Sequence, residues 1–277
     1  MDTLTTLVII VTAWFAFYAV IKLFKVKRDD LEVSPIYVLY KSTRLNGLIA
    51  RLAAWHPRMW KTLGNVGVAA SVGQATYATW LLLNNLLKFV FKPDQASPVQ
   101  PLIPGVTISA SNLPWFMLAA GIVILTHELS HGIQCVLEGI KVKSAAILVA
   151  VITFGGAVEP DEEELNKAPL ISKMRVFAAG SIVNLLTALL SLLVLNFGGV
   201  MPNSLGIFFT WLWFVSFNLA IMNMLPIGPL DGGQMWRTLT EAWPRGKLLQ
   251  KAATYIFIAL IVGNILYSLL MFGLIPL

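Results

Sequence analysis

The chain has 277 residues, 57% of them hydrophobic and 12% charged, with a net charge of +6, three histidines and one cysteine. Its mean hydropathy is +0.76. A soluble globular chain carries about 25% charged residues, so the composition excludes a water-soluble domain and describes a polytopic membrane protein; the lone Cys135 excludes an intramolecular disulfide.

Six apolar stretches have the length, about 20 residues, that crosses a hydrocarbon core of about 30 Å. They run approximately Leu4–Leu23, Val66–Val90, Leu113–Leu137, Val176–Phe197, Leu205–Leu225 and Ala252–Leu274. The first has no basic segment ahead of it and no small-residue cleavage site, so it reads as a retained helix. Behind it, Glu32 to Lys41 is strand-like, and Leu45 to Trp60, rich in Arg, Leu and Trp, reads as an interfacial amphipathic segment. His56, beside Pro57, reads as a surface histidine. The outer connections, 91–112 and about 198–204, are too short for a folded domain.

The third stretch contains His127-Glu128-Leu129-Ser130-His131. On a helix the two imidazoles lie one turn apart on one face, where both reach a single zinc ion, and Glu128 sits beside the ion's open position as a general base. From the His and Glu frequencies, roughly 0.001 chance matches are expected in a chain of this length. Ionisable groups at membrane depth usually mark function. Cys135, one turn past His131, reads as a small buried hydrophobe.

Lys143 to Val158 reads as one or two strands, with Gly155-Gly156 marking a bulge or a close backbone approach. Asp161 to Glu164 reads as the capped and charged N-terminus of a helix at the membrane surface. The fourth stretch carries Asn184, about 12 Å deep from the cytoplasmic side and level with the histidines; Gly180 and Ser181 permit close helix approach. Asn184 is either interhelical glue or a group that orients substrate or holds an oxyanion. The fifth stretch ends in Asn223-Met-Leu-Pro226-Ile-Gly228-Pro229-Leu-Asp231-Gly232-Gly233, where a helix cannot continue. A catalytic zinc needs a third protein ligand, and this unwound segment is placed to fold back and present Asp231.

With the N-terminus outside, 18 of the 20 basic residues fall on inside segments, leaving Lys88 and Lys92 at an outer end. The positive-inside rule therefore places both termini outside and the site near the cytoplasmic face of a cell membrane. The expected fold is an all-α polytopic membrane protein with six transmembrane helices and a small membrane-associated cytoplasmic β-sheet. It reads as one membrane-embedded domain, 1–277, divided into an N-terminal region of two spans, 1–112, a catalytic core, 113–233, and a C-terminal span, 234–277.

His-Glu-Leu-Ser-His-Gly at 127–132, Gly-Gly-Ala-Val-Glu-Pro at 155–160, Ala-Gly-x-x-x-Asn at 179–184, and Asn-x-x-Pro with Leu-Asp-Gly at 223–232 resemble, in this order, the site-2 protease family of intramembrane zinc metalloproteases. The resemblance is strongest from Pro114 to Gly233 and closest to compact archaeal and bacterial members. It implies regulated intramembrane proteolysis: a zinc metalloendopeptidase that hydrolyses peptide bonds within transmembrane segments of membrane-protein substrates in the lipid bilayer. It implies one Zn2+ per chain on His127, His131 and Asp231, with Glu128 as catalytic acid/base and Asn184 at the active site. Gly155, Gly156, Ala157 and Val158, with Asn184, are then substrate-binding, and the first and sixth spans form a lateral gate. Two departures stand out. Ser181 replaces the proline usual after the motif glycine, and the loop before the aspartate-bearing helix has no room for the PDZ domain that many bacterial members insert there. No nucleic-acid partner is indicated.

Other classes fit less well. A CAAX-type zinc enzyme takes its third ligand from a glutamate on a separate helix, a metal transporter shows polar motifs repeated in two halves, and a catalytically silent scaffold has no use for Glu128.

Overall fold

The computed structural model describes residues 3–24, 30–103, 105–150 and 154–274. In chain order the elements are α1 (Thr3–Leu23), β1 (Leu31–Val33), β2 (Tyr37–Ser42), α2 (Arg44–Trp55), α3 (Pro57–Phe91), α4 (Leu113–Leu137), β3 (Val142–Ala150), β4 (Phe154–Pro160), α5 (Glu162–Lys167), α6 (Leu170–Phe197), α7 (Asn203–Met222), α8 (Asp231–Thr240) and α9 (Gly246–Phe272). Five of these, α3, α4, α6, α7 and α9, are long and apolar enough to cross a membrane. The described apolar portion of α1, Val11–Leu23, is shorter than a span, so length and composition support five crossings where the sequence suggests six. Lys25, Lys27 and Arg28, used in the topology argument, lie outside the described residues, as do Val151 to Thr153 of the expected strand region.

Several helices outrun the apolar windows that announce them. α3 starts at Pro57, whose missing N–H costs nothing in a first turn, and continues through Arg58 and Lys61. Charge ends a hydropathy window without interrupting backbone hydrogen bonding. α6 likewise takes in Lys173 and Arg175 before its apolar stretch. The expected interfacial stretch divides at His56, which is exposed. Its first half, α2, buries Ile49 and Ala53 one turn apart, and Ile49 packs on α4 at Gly132, where an added Cβ would stand 2.8 Å from its Cδ1.

The four strands form one antiparallel sheet in the order β1-β2-β3-β4. β2 pairs with β3 through Tyr37 opposite Ala150 and Lys41 opposite Ala146, and β3 with β4 through Ala145 opposite Val158 and Ile147 opposite Gly156. The strand expected at Glu32 to Lys41 is two strands, broken at Ser34-Pro35, because proline brings no N–H to a ladder. Trp14 of α1 donates its indole N–H to the Pro35 carbonyl at 2.7 Å. Ile36, Ile147 and Val149 are exposed on the sheet, a surface poorly suited to water and well suited to lipid. Glu159 ties the strands: it accepts from Ser144 at 2.8 Å and Lys41 at 3.4 Å, and the Ser144 hydrogen bond holds its pKa below the usual carboxylate value.

Small residues set the helix spacing. Ala178, Ala179, Gly180 and Ser181 of α6 are all buried, and Gly67 of α3 meets Ile182 so closely that an added Cβ would stand 3.0 Å from its Cγ2. In a bilayer, where apolar burial drives little association, such close packing is the main cohesive term. At the C-terminal end of α4, Glu138 accepts from Ser172 at 2.6 Å, Gln134 at 3.0 Å and Arg175 at 3.1 Å. Arg175 also donates to Asn65 at 2.8 Å, so one carboxylate cross-links α4 and α6 and, through Arg175, α3. These hydrogen bonds outweigh the opposing effect of burial and lower the Glu138 pKa.

Candidate metal centre and active site

The i, i+4 spacing on α4 puts His127 and His131 side by side, with ring centroids 4.7 Å apart. His131 Nδ1 lies 2.7 Å from the Val176 carbonyl of α6. A carbonyl only accepts, so Nδ1 carries the proton and Nε2 keeps its lone pair for an ion. His127 is held from behind. Its ring lies on Gly180, where an added Cβ would approach Cε1 to 2.4 Å, and its Nδ1 is 2.8 Å from the amide of Asn184.

Asp231 arrives as the sequence suggests. α7 ends at Met222, and the chain folds back through short turns closed by Gly232 N–H to the Asn223 carbonyl at 2.8 Å. Gly232 is required there, since a Cβ would sit 2.1 Å from the Met224 carbonyl oxygen. α8 then opens on Asp231. Its Oδ2 is 3.3 Å from His127 Nε2 and 3.2 Å from His131 Nε2, and the two Nε2 atoms are 3.1 Å apart. Donors about 2.05 Å from a tetrahedral zinc are separated by about 3.3 Å. All three separations match that edge length, and two imidazoles with one carboxylate are a zinc-type donor set.

The Asn184 side chain gives a second test of fit. It is fully buried, and its Oδ1 has no hydrogen-bond partner while Nδ2 faces His127. Coordination through His127 Nε2 puts the proton on Nδ1 and calls for an acceptor opposite it. The two ends of an amide are nearly the same shape, so a half-turn of the Asn184 amide supplies that acceptor.

Glu128 lies across the site on α4. Its Oε2 accepts from the Val158 N–H of β4 at 2.9 Å. Gly156 gives the room: a Cβ there would stand 3.0 Å from Glu128 Cγ. The doubled glycine thus marks a close approach; the β3–β4 register runs unbroken through Gly155 and Gly156, and the irregularity lies at Val142/Ser144. The metal-facing donors, Glu128 and residues 156–158 line one cleft of about 530 Å³.

Of the residues picked out in the sequence, the structure brings together His127, His131, Asp231, Glu128, Asn184 and the strand 155–158. Asn184 lies behind His127, on the ring edge opposite Nε2. The amide on the metal-facing side is that of Asn223, 2.6 Å from Asp231 Oδ2 and 3.2 Å from His127 Nε2. Sequence reasoning used Asn223 as a motif residue and gave it no role; its place eight residues before Asp231, across a fold-back, is the signal that points to it. Cys135 is buried, as expected. Asp161 caps α5 by accepting from the N–H groups of Glu163 and Glu164, the use expected for that acidic run.

Residues 115–203 and 194–267 match the sequence profile of Peptidase family M50. The chain is 27% identical over 150 residues, 54% of its length, to a membrane-bound transcription factor site-2 protease homolog of Arabidopsis thaliana, of which it covers 29%. It is 26% identical over 213 residues to an uncharacterized protein of Methanocaldococcus jannaschii, covering 75% of this chain and 55% of that one. A zinc metalloprotease of the same archaeon is 26% identical over 179 residues, 62% of this chain and 47% of that protein. The chain thus spans between 29% and 55% of the length of these relatives.

Proposed function

The chain belongs to Peptidase family M50, the site-2 protease family, and on that premise we propose that it is an intramembrane zinc endopeptidase that cleaves transmembrane segments of membrane proteins. The observation that carries this reading is the triangle of His127, His131 and Asp231 donor atoms at tetrahedral-edge spacing, with Glu128 in the same cleft.

His127, His131 and Asp231 would hold the ion. Zinc bound there would supply an acidified water and a Lewis acid for the scissile carbonyl. Glu128, in the same cleft, would act as general base toward the attacking water and as general acid toward the leaving amine. Asn184 positions His127 through Nδ1, and Asn223, with its amide on the metal-facing side, stabilises the oxyanion. A transmembrane helix hides its carbonyls in its own hydrogen bonds, so the substrate must unwind before it reacts. The Gly155 to Val158 edge of β4 replaces the bonds it gives up, favouring substrates with Gly, Asn or Pro near the cleavage point. α1 completes a six-span layout with both termini outside and the cleft toward the cytoplasm, and its few ties to the bundle among the described residues suit it to be the moving side of a lateral gate. The other proposed gatepost, α9, is pinned: Asn264 donates to the Leu82 carbonyl at 3.0 Å and accepts from Asn85 at 3.1 Å.

The test is cleavage of a helix-destabilised model transmembrane substrate by the purified protein in detergent, beside Glu128→Gln and a chelated sample. Cleavage lost in both controls is the expected result. Cleavage that persists without metal, or with Glu128→Gln, would overturn the reading.

A further inference from the structure

The Val158 N–H is the one donor that Glu128 and an added strand both claim. β4 is an edge of the sheet, paired on one side with β3. Val158 stands opposite Ala145, yet its N–H leaves the ladder for Glu128 Oε2 at 2.9 Å. Val158 is therefore a residue whose backbone groups point away from β3. By the two-residue alternation of a strand, Gly156 turns its N–H and C=O to the same open edge, which lies in the cleft with the metal-facing donors. Among the described residues, a chain added to this edge finds no partner on the Gly156 pair or the Val158 carbonyl, and the Val158 N–H already bonded to a carboxylate. An N–H forms one full-strength hydrogen bond.

Resting on the protease reading above, we propose that Val158 is a specificity-determining residue: an extended substrate strand takes the Val158 N–H from Glu128, so that backbone pairing and release of the general base are one event. A segment that stays helical has its carbonyls occupied, does not bid for this donor, and leaves Glu128 held. Gly156 belongs to the same device, because a Cβ there would stand 3.0 Å from Glu128 Cγ and push that side chain off the strand by a few tenths of an ångström. The proton inventory of hydrolysis is unchanged; what changes hands is a hydrogen bond.

Binding separates this competition from a fixed support. The probe is a fluorescent transmembrane peptide made extended by Gly and Pro, added in detergent to the chelated full-length protein, which does not turn it over. Removing the competitor with Glu128→Ala should tighten binding about 10-fold to 100-fold, the range expected for one charge-assisted hydrogen bond. Glu128→Gln, which keeps a weaker acceptor, should fall between. Replacing Val158 by α-hydroxyvaline, which exchanges the N–H for an ester oxygen and keeps the side chain, should weaken binding and abolish the effect of Glu128→Ala. Unchanged or weaker binding by Glu128→Ala, or no binding by any form, overturns the proposal. In the zinc-loaded enzyme the ester should raise KM without lowering kcat; a fall in kcat at constant KM would mean that Val158 only steadies Glu128, and would also overturn it. Chelator-sensitive cleavage without the binding effect sinks the competition alone, whereas tighter binding by Glu128→Ala with no cleavage by the zinc-loaded wild type sinks the protease reading alone.

Discussion

The two walls of the cleft are built by different physics. On the metal side, α4, α6 and the α7–α8 turn are packed through small residues, and each donor is steadied by a second group: His131 by the Val176 carbonyl, His127 by Gly180 and Asn184, Asp231 by Asn223. On the strand side, β4 offers an open backbone edge, and the sheet behind it touches α1 through a single described indole hydrogen bond. The first wall gathers side chains whose positions are fixed by packing and hydrogen bonds; the second presents backbone groups at an open edge of the sheet. Rigidity and vacancy are kept in separate elements, and they meet at Glu128, which stands on α4 and is bonded to β4.

Substitutions on the two walls should therefore fail differently. The largest effect is expected from Gly180→Ala, whose Cβ would fall within 2.4 Å of the His127 ring. The added carbon displaces a ligand, so zinc affinity, measured by competition with a chromogenic chelator, should drop at least about 100-fold and cleavage with it. An unchanged zinc affinity would show that α6 yields and that the metal wall is softer than described. Next is Asn184→Leu, which removes the His127 Nδ1 partner and should cost about 10–100-fold in zinc affinity. Asn223→Leu is the counterpart on the metal-facing side: losing the hydrogen bond to Asp231 weakens zinc as well, but at saturating zinc, where Asn184→Leu recovers, kcat stays down by about 10²-fold as an oxyanion donor is lost. If the two asparagines exchanged these signatures, their assignments would be reversed.

Gly156→Ala probes the strand wall. Its Cβ would press on Glu128 Cγ at 3.0 Å, and no ligand is near it. Cleavage should fall by about tenfold while zinc content stays at one per chain, a smaller loss than any on the metal wall and one that leaves the ion in place.

The metal wall was also the more legible in the sequence. His127 and His131 follow from a four-residue helical repeat, and Asp231 from prolines and glycines that forbid the helix of α7 to continue. Both signals are local. The strands at 142–160 announce themselves by composition, but the sheet order depends on pairings such as Tyr37 with Ala150, more than a hundred residues apart, for which no local periodicity exists. The same holds for the bond between Glu128 and Val158 and for the roles of the asparagines. Depth along a helix placed Asn184 level with the zinc site; only the rotation of α6 against α4 decides which edge of His127 it meets. Apolar stretches do not mark helix ends where charged residues continue the helix, as at Arg58 and Arg175.

The smallest expected effect lies beneath both walls, at Glu138. Its carboxylate gathers Ser172, Gln134 and Arg175 where α4 leaves the membrane, and it bears on stability more than on chemistry. Glu138→Gln keeps the shape and loses the charge, at a cost of about 1–2 kcal/mol, or a few degrees in Tm. Because the folded-state pKa of Glu138 lies below its unfolded value, the stabilisation is complete above the ordinary carboxylate range and is lost as pH falls through the lowered folded value. The Tm gap between wild type and Glu138→Gln, followed in detergent by tryptophan fluorescence, should thus be widest near neutral pH and narrow on acidification. A gap that widened in acid would mean that the Glu138 charge is a burden to the fold, and that the joint between α4 and α6 is held by the packing of Ala178 to Ser181 alone.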